Sequence, residues 1–275
     1  MDVAVVGPDR ATESVVAALA ETDATAVPAA PATLDGFAVA AVAGQVGDDA
    51  FDAATELDRW VAVEIGGVGG RPAALDAAVT VFDGAGCFDC LRDRVAAGGT
   101  ADDSGEPGET RPADSAVRLA GAVAGHRLVR LLDGEQLGGT VVEVPGPERS
   151  FLPVPGCDCH DTPRGFERHH RDVSLATTLD RMERAVDDRL GPVREVGEQS
   201  SFPVPYYVAA TAETTRFSDA RCGEFGGGVA ADWNAAYVKA VGEALERYAA
   251  GVYRESSFRH APTTGVVDAV PVSAF

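Results

Sequence analysis

Two groups of residues have the types and spacing that site chemistry uses. The first is four of the five cysteines, in two close pairs: Cys87-Phe-Asp-Cys90 and Cys157-Asp-Cys159. Close pairs from distant positions suit a tetrahedral four-thiolate zinc site, because each short loop presents two sulfurs to one metal. The Cys-x-x-Cys spacing is the usual knuckle and Cys-x-Cys is tighter, so His160 is a replacement ligand if strain excludes a sulfur. With every position filled by sulfur, no site is left for water, and the metal is structural. A disulfide and buried free thiols are the alternatives, of which a reducing compartment disfavours the first. Cys87-x-x-Cys90 is a poor redox motif, since it runs into Leu91-Arg92-Asp93-Arg94 instead of opening the first helix after a βαβ strand. Cys222, beside Gly223, is the odd thiol, with no more support as a nucleophile than as an incidental cysteine.

The second group is Lys239, Glu243, Glu246 and Arg247. Gly226-Gly227-Gly228-Val229-Ala230-Ala231 reads as a glycine-rich turn, with Asp232 as N-cap of the helix that follows. On that helix Val238, Val241, Leu245, Tyr248 and Val252 form an apolar stripe, and the four charged residues lie on the other flank. Pattern alone favours a solvated face with Lys239–Glu243 and Glu243–Arg247 pairs worth roughly a few tenths of a kcal/mol each. A charged helix of this kind can also hold a metal or a nucleotide phosphate, but one helix supplies only part of such a site. The chain stops at Phe275, so the opposing half is expected from sequence beyond it or from another chain.

The elements that position these groups read in three stretches. Residues 1–95 alternate strand-like runs (Val3–Gly7, Phe37–Val42, Trp60–Ile65, Ala78–Phe82) with helix-like ones at Thr12–Ala20 and Asp48–Leu57. This predicts an α/β unit on a parallel sheet. No Gly-x-Gly-x-x-Gly follows a strand there, and Gly66-Gly67-Val68-Gly69-Gly70 reads as a flexible turn, so nucleotide binding is not expected in this half. Residues 97–114 are acidic and rich in Gly and Pro, an exposed flexible loop. Beyond it come a helix over Ser115–Leu132 and strands over Gly139–Val144 and Phe151–Val154. From Phe166 the character changes: an amphipathic helix spans Val173–Leu190, and Val193–Val196 and Val204–Ala210 are strand-like.

Composition narrows the partners. Asp and Glu number 43 against 23 Lys and Arg, a formal net charge of −20, and Lys239 is the only lysine. Such a surface repels nucleic acid and anionic membranes, so neither is expected as a partner. It fits a halophilic protein, in which ions screen self-repulsion. No run approaches the roughly 20 apolar residues of a spanning helix. Met-Asp-Val-Ala-Val-Val lacks a basic leader, so the expected location is cytoplasmic.

Gly242-Glu243-Ala244-Leu245-Glu246-Arg247-Tyr248 resembles the opening motif of the YcaO family. Pro153-Val154-Pro155-Gly156-Cys157-Asp158-Cys159, with Cys87-x-x-Cys90 upstream, resembles the zinc-bearing E1-like domain fused ahead of YcaO in azoline-forming cyclodehydratases. The resemblance covers nearly the whole chain and is to haloarchaeal members in particular. It implies a Rossmann-like, E1-like α/β domain with a Cys87–Cys90–Cys157–Cys159 zinc site over 1–165, then the incomplete start of a YcaO α/β domain over 166–275. It further implies ATP and Mg²⁺ as cofactors, with Glu243 and Glu246 as metal ligands, Arg247 beside them, and Lys239 supplying a cation near the phosphates. The activity implied is activation of a peptide amide for heterocycle formation, in bacteriocin-type peptide modification. A peptide is then the substrate, and a partner chain or the missing C-terminal YcaO half, or a second copy in a homodimer, completes the assembly. Two departures stand out: the family's frequent Gly-Lys-Gly is here Gly228-Val229-Ala230, and Lys239 stands where a serine often precedes the motif. The alternatives are a non-catalytic, zinc-stabilised peptide-docking module and a YcaO accessory factor in thioamidation or protein modification. Truncation makes the chain alone expected to be inactive.

The charge balance makes a direct prediction. The melting temperature rises from low salt to molar KCl; a flat response across that series overturns the halophilic reading.

Overall fold

The computed structural model describes residues 1–99, 112–159, 172–267 and 269–274. Most of the acidic 97–114 stretch, and His160, lie outside the described residues. The first unit comprises β1 (Asp2–Val6), α1 (Asp9–Leu19), β2 (Thr25–Pro28), β3 (Val39–Gln45), α2 (Asp49–Ala54), β4 (Arg59–Val68), β5 (Arg71–Phe82), α3 (Phe88–Gly98), α4 (Asp114–Leu132), β6 (Thr140–Val144) and β7 (Glu148–Ser150). Its strands make one seven-stranded sheet in the order β2-β1-β3-β4-β5-β6-β7. The fold is mixed α/β.

The expected parallel sheet is half right. Strands β2, β1, β3 and β4 run parallel, whereas β5, β6 and β7 are antiparallel. The reversal happens at the glycine-dense turn, where Gly69 and Gly70 adopt φ of 60° and 72°. Glycine enters that region without a Cβ clash, so β4 folds straight back into β5 and no crossover helix is needed. Nor is this turn loose. The Gly69 and Gly70 N–H groups donate to the two oxygens of Glu64, at 2.8 and 2.7 Å. Glu64 is fully buried; burial raises its pKa, opposed by the two N–H bonds and by Arg92.

Side chains alternate between two cores, as strand periodicity requires. Val3, Val5, Val61, Val63 and Val79 pack with Val15 and Leu19 of α1 and Val117 and Leu128 of α4. Val42, Trp60 and Phe82 pack on the other face with Phe51 of α2 and Phe88 and Leu91 of α3. The sequence reading missed β2, a four-residue strand with no buried position and hence no apolar signature. It also extended strand structure over Phe151–Val154. The last strand ends at Ser150, and the next two carbonyls beyond Phe151, of Leu152 and Pro153, accept from Arg94 instead of from a strand.

The second unit contains α5 (Leu175–Glu183), β8 (Val193–Ser200), β9 (Tyr206–Thr211), β10 (Phe225–Val229) and α6 (Trp233–Ala250). The three strands form an antiparallel sheet in the order β10-β9-β8. The helix expected over Val173–Leu190 stops at Glu183. Beyond it the Asp187 carboxylate accepts from the Arg189 and Leu190 N–H groups at 2.9 and 2.8 Å, turning the chain, and Val186 bridges to Val193.

The largest correction concerns the glycines before α6. Gly226, Gly227 and Gly228 are the middle of β10, not a turn. A Cβ on Gly226 would fall 2.3 Å from the Ala244 nitrogen, and one on Gly228 would fall 2.1 Å from the Ala236 oxygen. Strand and helix therefore meet backbone to backbone. That contact rotates the buried stripe of α6 onto Ala236, Ala240 and Ala244, with Val241 and Tyr248. Val238, Leu245 and Val252, expected at its centre, are only half-buried. Asp232 does cap the helix, accepting the Ala235 N–H at 3.0 Å.

Gly228→Ala is therefore expected to lower unfolding stability by about 1–3 kcal/mol through overpacking. Gly227→Ala, whose Cβ meets the Tyr206 ring at 3.4 Å and the Glu243 carboxylate at 3.9 Å and no backbone atom nearer than these, is expected to stay within about 0.5 kcal/mol. Urea melts of both variants measure this, and equal losses would refute the packing argument.

Candidate functional site

The cysteine pairs converge. Cys87 follows the turn after β5 and is the N-cap of α3, its sulfur accepting the Cys90 N–H at 3.4 Å. The pair opens a helix, but one that follows an antiparallel strand and no βαβ unit, as the sequence reading had it. Cys157 and Cys159 arrive on the loop after β7, where the Cys157 N–H donates to the Val154 carbonyl. Cys87 and Cys157 approach to 3.7 Å between sulfurs, and Cys90 and Cys159 to 3.5 Å. All four sulfurs lie within 4.8 Å of one another, so the cluster could hold a metal ion. A tetrahedral zinc with Zn–S bonds near 2.3 Å separates its sulfurs by ~3.8 Å, close to the 3.7 and 3.5 Å of the Cys87–Cys157 and Cys90–Cys159 pairs.

The thiols perturb one another. The Cys90 thiol beside it holds Cys87 far below its ordinary value, at about 5, while the same contact drives Cys90 upward. Burial pushes Cys159 up to about 12. Cys90 also accepts the Val154 N–H at 3.2 Å. Backbone N–H bonds of this kind favour thiolate character, the form that ligates metal. None of the five cysteines forms a disulfide. Cys222 is buried, 3.1 Å from the Ala212 carbonyl oxygen and 3.5 Å from the Thr211 hydroxyl.

Of the two ion pairs expected on the charged flank of α6, Glu243–Arg247 forms and Lys239–Glu243 does not. Glu243 pairs with Arg247, whose two nitrogens donate at 2.6 and 3.1 Å. The second Glu243 oxygen accepts the Gly227 N–H of β10 at 2.9 Å. That N–H first, and then Arg247, holds the Glu243 carboxyl below its ordinary pKa. Lys239 does not pair with Glu243. Its ammonium donates to the Val229 carbonyl at 2.9 Å. The ladder explains both contacts. Bonds from Thr211 N to Glu224 O and from Ala230 N to Pro205 O place the even-numbered residues of β10 in register toward β9. The polar groups of Gly227 and Val229 therefore face away from β9 and toward the helix flank. Glu246 is exposed and has no hydrogen bond or ion pair among the described residues.

Sequence reasoning missed Arg94, which joins the two regions. It is buried and donates to Leu152 O, Pro153 O and the Tyr248 hydroxyl. Its spacing four residues after Cys90 was visible in the sequence, but nothing there signals burial of a charge. A cleft of about 410 Å³ also opens between the units, lined by Ala97, Arg194, Thr211, Glu213, Arg221 and Cys222 among others. It is lined by neither the four clustered cysteines nor any of the four charged residues of α6.

No protein-family model matches the sequence, and no curated protein matches it. Among solved structures the fold is similar to that of a heterocyclase in complex with substrate and cofactor, with a TM-score of 0.57 and 15% identity over 90% of this chain. The matched region is 39% of the heterocyclase chain, so this chain spans well under half of that protein's length. The chain shares the mixed α/β fold of that heterocyclase through both of its units.

Proposed function

We propose that this chain forms part of a YcaO-type heterocyclase, an ATP- and Mg²⁺-dependent cyclodehydratase that converts Cys, Ser or Thr in a ribosomal peptide to azolines. The observation that carries the reading is the fold likeness to a heterocyclase across both units. It agrees with the order of the two motifs along the chain, a four-cysteine cradle and then the Glu243-x-x-Glu246-Arg247 helix.

In this reading zinc is structural, held by Cys87, Cys90, Cys157 and Cys159 with no position open to water. ATP with magnesium, when bound, supplies the phosphoryl group that turns the amide oxygen into a leaving group. The chain's own residues provide one wall of that site. Glu246, exposed on α6, offers a carboxylate to the metal, and Mg²⁺ takes only one or two from protein beside phosphate. Glu243 is fixed in orientation by Gly227 and Arg247. Arg247 and Lys239 add the positive charge that phosphates require. The remaining ligands come from sequence beyond this chain or from a partner.

One observation favours a second reading, a zinc-stabilised peptide-docking module without catalysis. Both Glu243 oxygens are engaged within the protein, and Lys239 is tied to Val229.

Metal analysis of the purified chain is expected to give one zinc per chain, lost in Cys87→Ser. A folded, metal-free wild type overturns the zinc assignment. Calorimetry with ATP and Mg²⁺ is expected to show binding that Glu246→Gln weakens about tenfold, or ~1.4 kcal/mol. A silent ATP titration with retained peptide binding selects the docking module.

A further inference from the structure

The cysteine cradle and α6 belong to different units, yet a continuous set of short contacts joins them. Cys90 and Arg94 lie four residues apart on α3 and so share a face. The Cys90 sulfur accepts the Val154 N–H at 3.2 Å. The two carbonyls just before it, Leu152 and Pro153, accept from Arg94 at 3.0 and 2.9 Å. The segment that leads into Cys157 is thus clamped between a cysteine sulfur and a guanidinium. From the same guanidinium, the remaining terminal nitrogen donates to the Tyr248 hydroxyl at 2.7 Å. Tyr248 follows Arg247 directly and is itself buried.

Arg94 is 3% exposed, and among the described residues no carboxylate pairs with it. A cation buried without a counter-ion is tolerated only when neutral acceptors satisfy its donors. Here those acceptors are two carbonyls beside the cradle and one phenol on α6, with the Tyr248 and Phe217 rings 5.7 and 5.9 Å from the guanidinium carbon. No acceptor can shift without leaving a buried donor unmet, so the position of Tyr248 and the position of residues 152–154 are set together.

We propose that Arg94 and Tyr248 are positioning residues that couple the cysteine cradle to the helix bearing Glu243, Glu246 and Arg247. A metal held by the four sulfurs fixes the Cys90–Val154 contact, and Arg94 passes that constraint to Tyr248. The inference rests on the metal assignment made above for the cysteines. Coupling between two sites is reciprocal, so a change at Tyr248 must appear in metal affinity although Tyr248 makes no hydrogen bond to any of the four clustered cysteines among the described residues.

The test is a Co²⁺ titration of the full chain, followed by zinc competition, in wild type, Tyr248→Phe and Tyr237→Phe. Tyr248→Phe deletes the acceptor and keeps the ring. Tyr237→Phe is the control, a tyrosine of the same helix whose ring packs on Tyr207. Expected is about tenfold weaker metal binding in Tyr248→Phe alone. In a second arm, hydrogen exchange of wild type is compared with and without Co²⁺. Metal is expected to protect amides over residues 243–251 and to leave β1 unchanged, and this arm decides alone if Tyr248→Phe does not fold. Equal Co²⁺ affinity in all three folded proteins, or α6 exchange indifferent to metal, overturns the coupling. No Co²⁺ binding by wild type overturns the metal assignment and the coupling with it.

Discussion

How closely α6 approaches β10 governs most of what surrounds the candidate site. A strand carrying Cβ atoms at positions 226 and 228 could not lie at this distance from Ala236 and Ala244. Glycine on one side and alanine on the other remove the only atoms that would hold the backbones apart. The charged flank inherits this geometry. At such short range the Glu243 side chain reaches the Gly227 N–H and the Lys239 side chain reaches the Val229 carbonyl. Carboxylate orientation on α6 is thus a by-product of main-chain packing, with Arg247 as the second restraint.

The junction between the units depends on buried or half-buried charge. Arg94 joins the segment after β7 to α6 through neutral acceptors. Elsewhere Arg149 of β7 pairs with Glu143 of β6 and with Asp187 and Asp188 of the second unit. Backbone contacts supplement these. Glu213 N–H donates to the Ala97 carbonyl at 3.1 Å, and a Cβ on Gly98 would strike the Arg189 carbonyl oxygen. Arginine suits both roles because its planar fork satisfies several acceptors at once, where an ammonium group offers a compact point charge. A chain with a single lysine has few alternatives.

Local pattern made some of this legible. Apolar runs bounded by Gly and Pro marked β1, β3, β4 and β6, and Asp232 marked the start of α6, because each of those signals is local. The cysteine cradle was legible from spacing, since two close pairs are useful only if they meet. What the sequence hid was long-range. Gly226–Gly228 looked like a turn because glycine's lack of a side chain has two uses, freedom in φ and proximity in packing. Only the partner helix decides between them. Val238 and Leu245 looked like core for the same reason, as periodicity assigns a stripe by hydrophobicity while the glycine strand selects by size. Glu64 and Arg94 carried no mark of burial, since composition says nothing about which charges find internal acceptors.

Strand β10 lies at the edge of its sheet, with β9 on one side and, among the described residues, no strand on the other. An open edge is a template on which a further strand, from this chain or another, can add. Here two of its outward groups are already engaged by side chains of α6, one by an ammonium and one by a carboxylate. The helix that carries the candidate ligands therefore also acts as a stop on sheet growth. A glycine-rich strand, with exposed Phe225 and Val229 at its two ends, thus has two of its outward main-chain groups occupied by the side chains of Glu243 and Lys239.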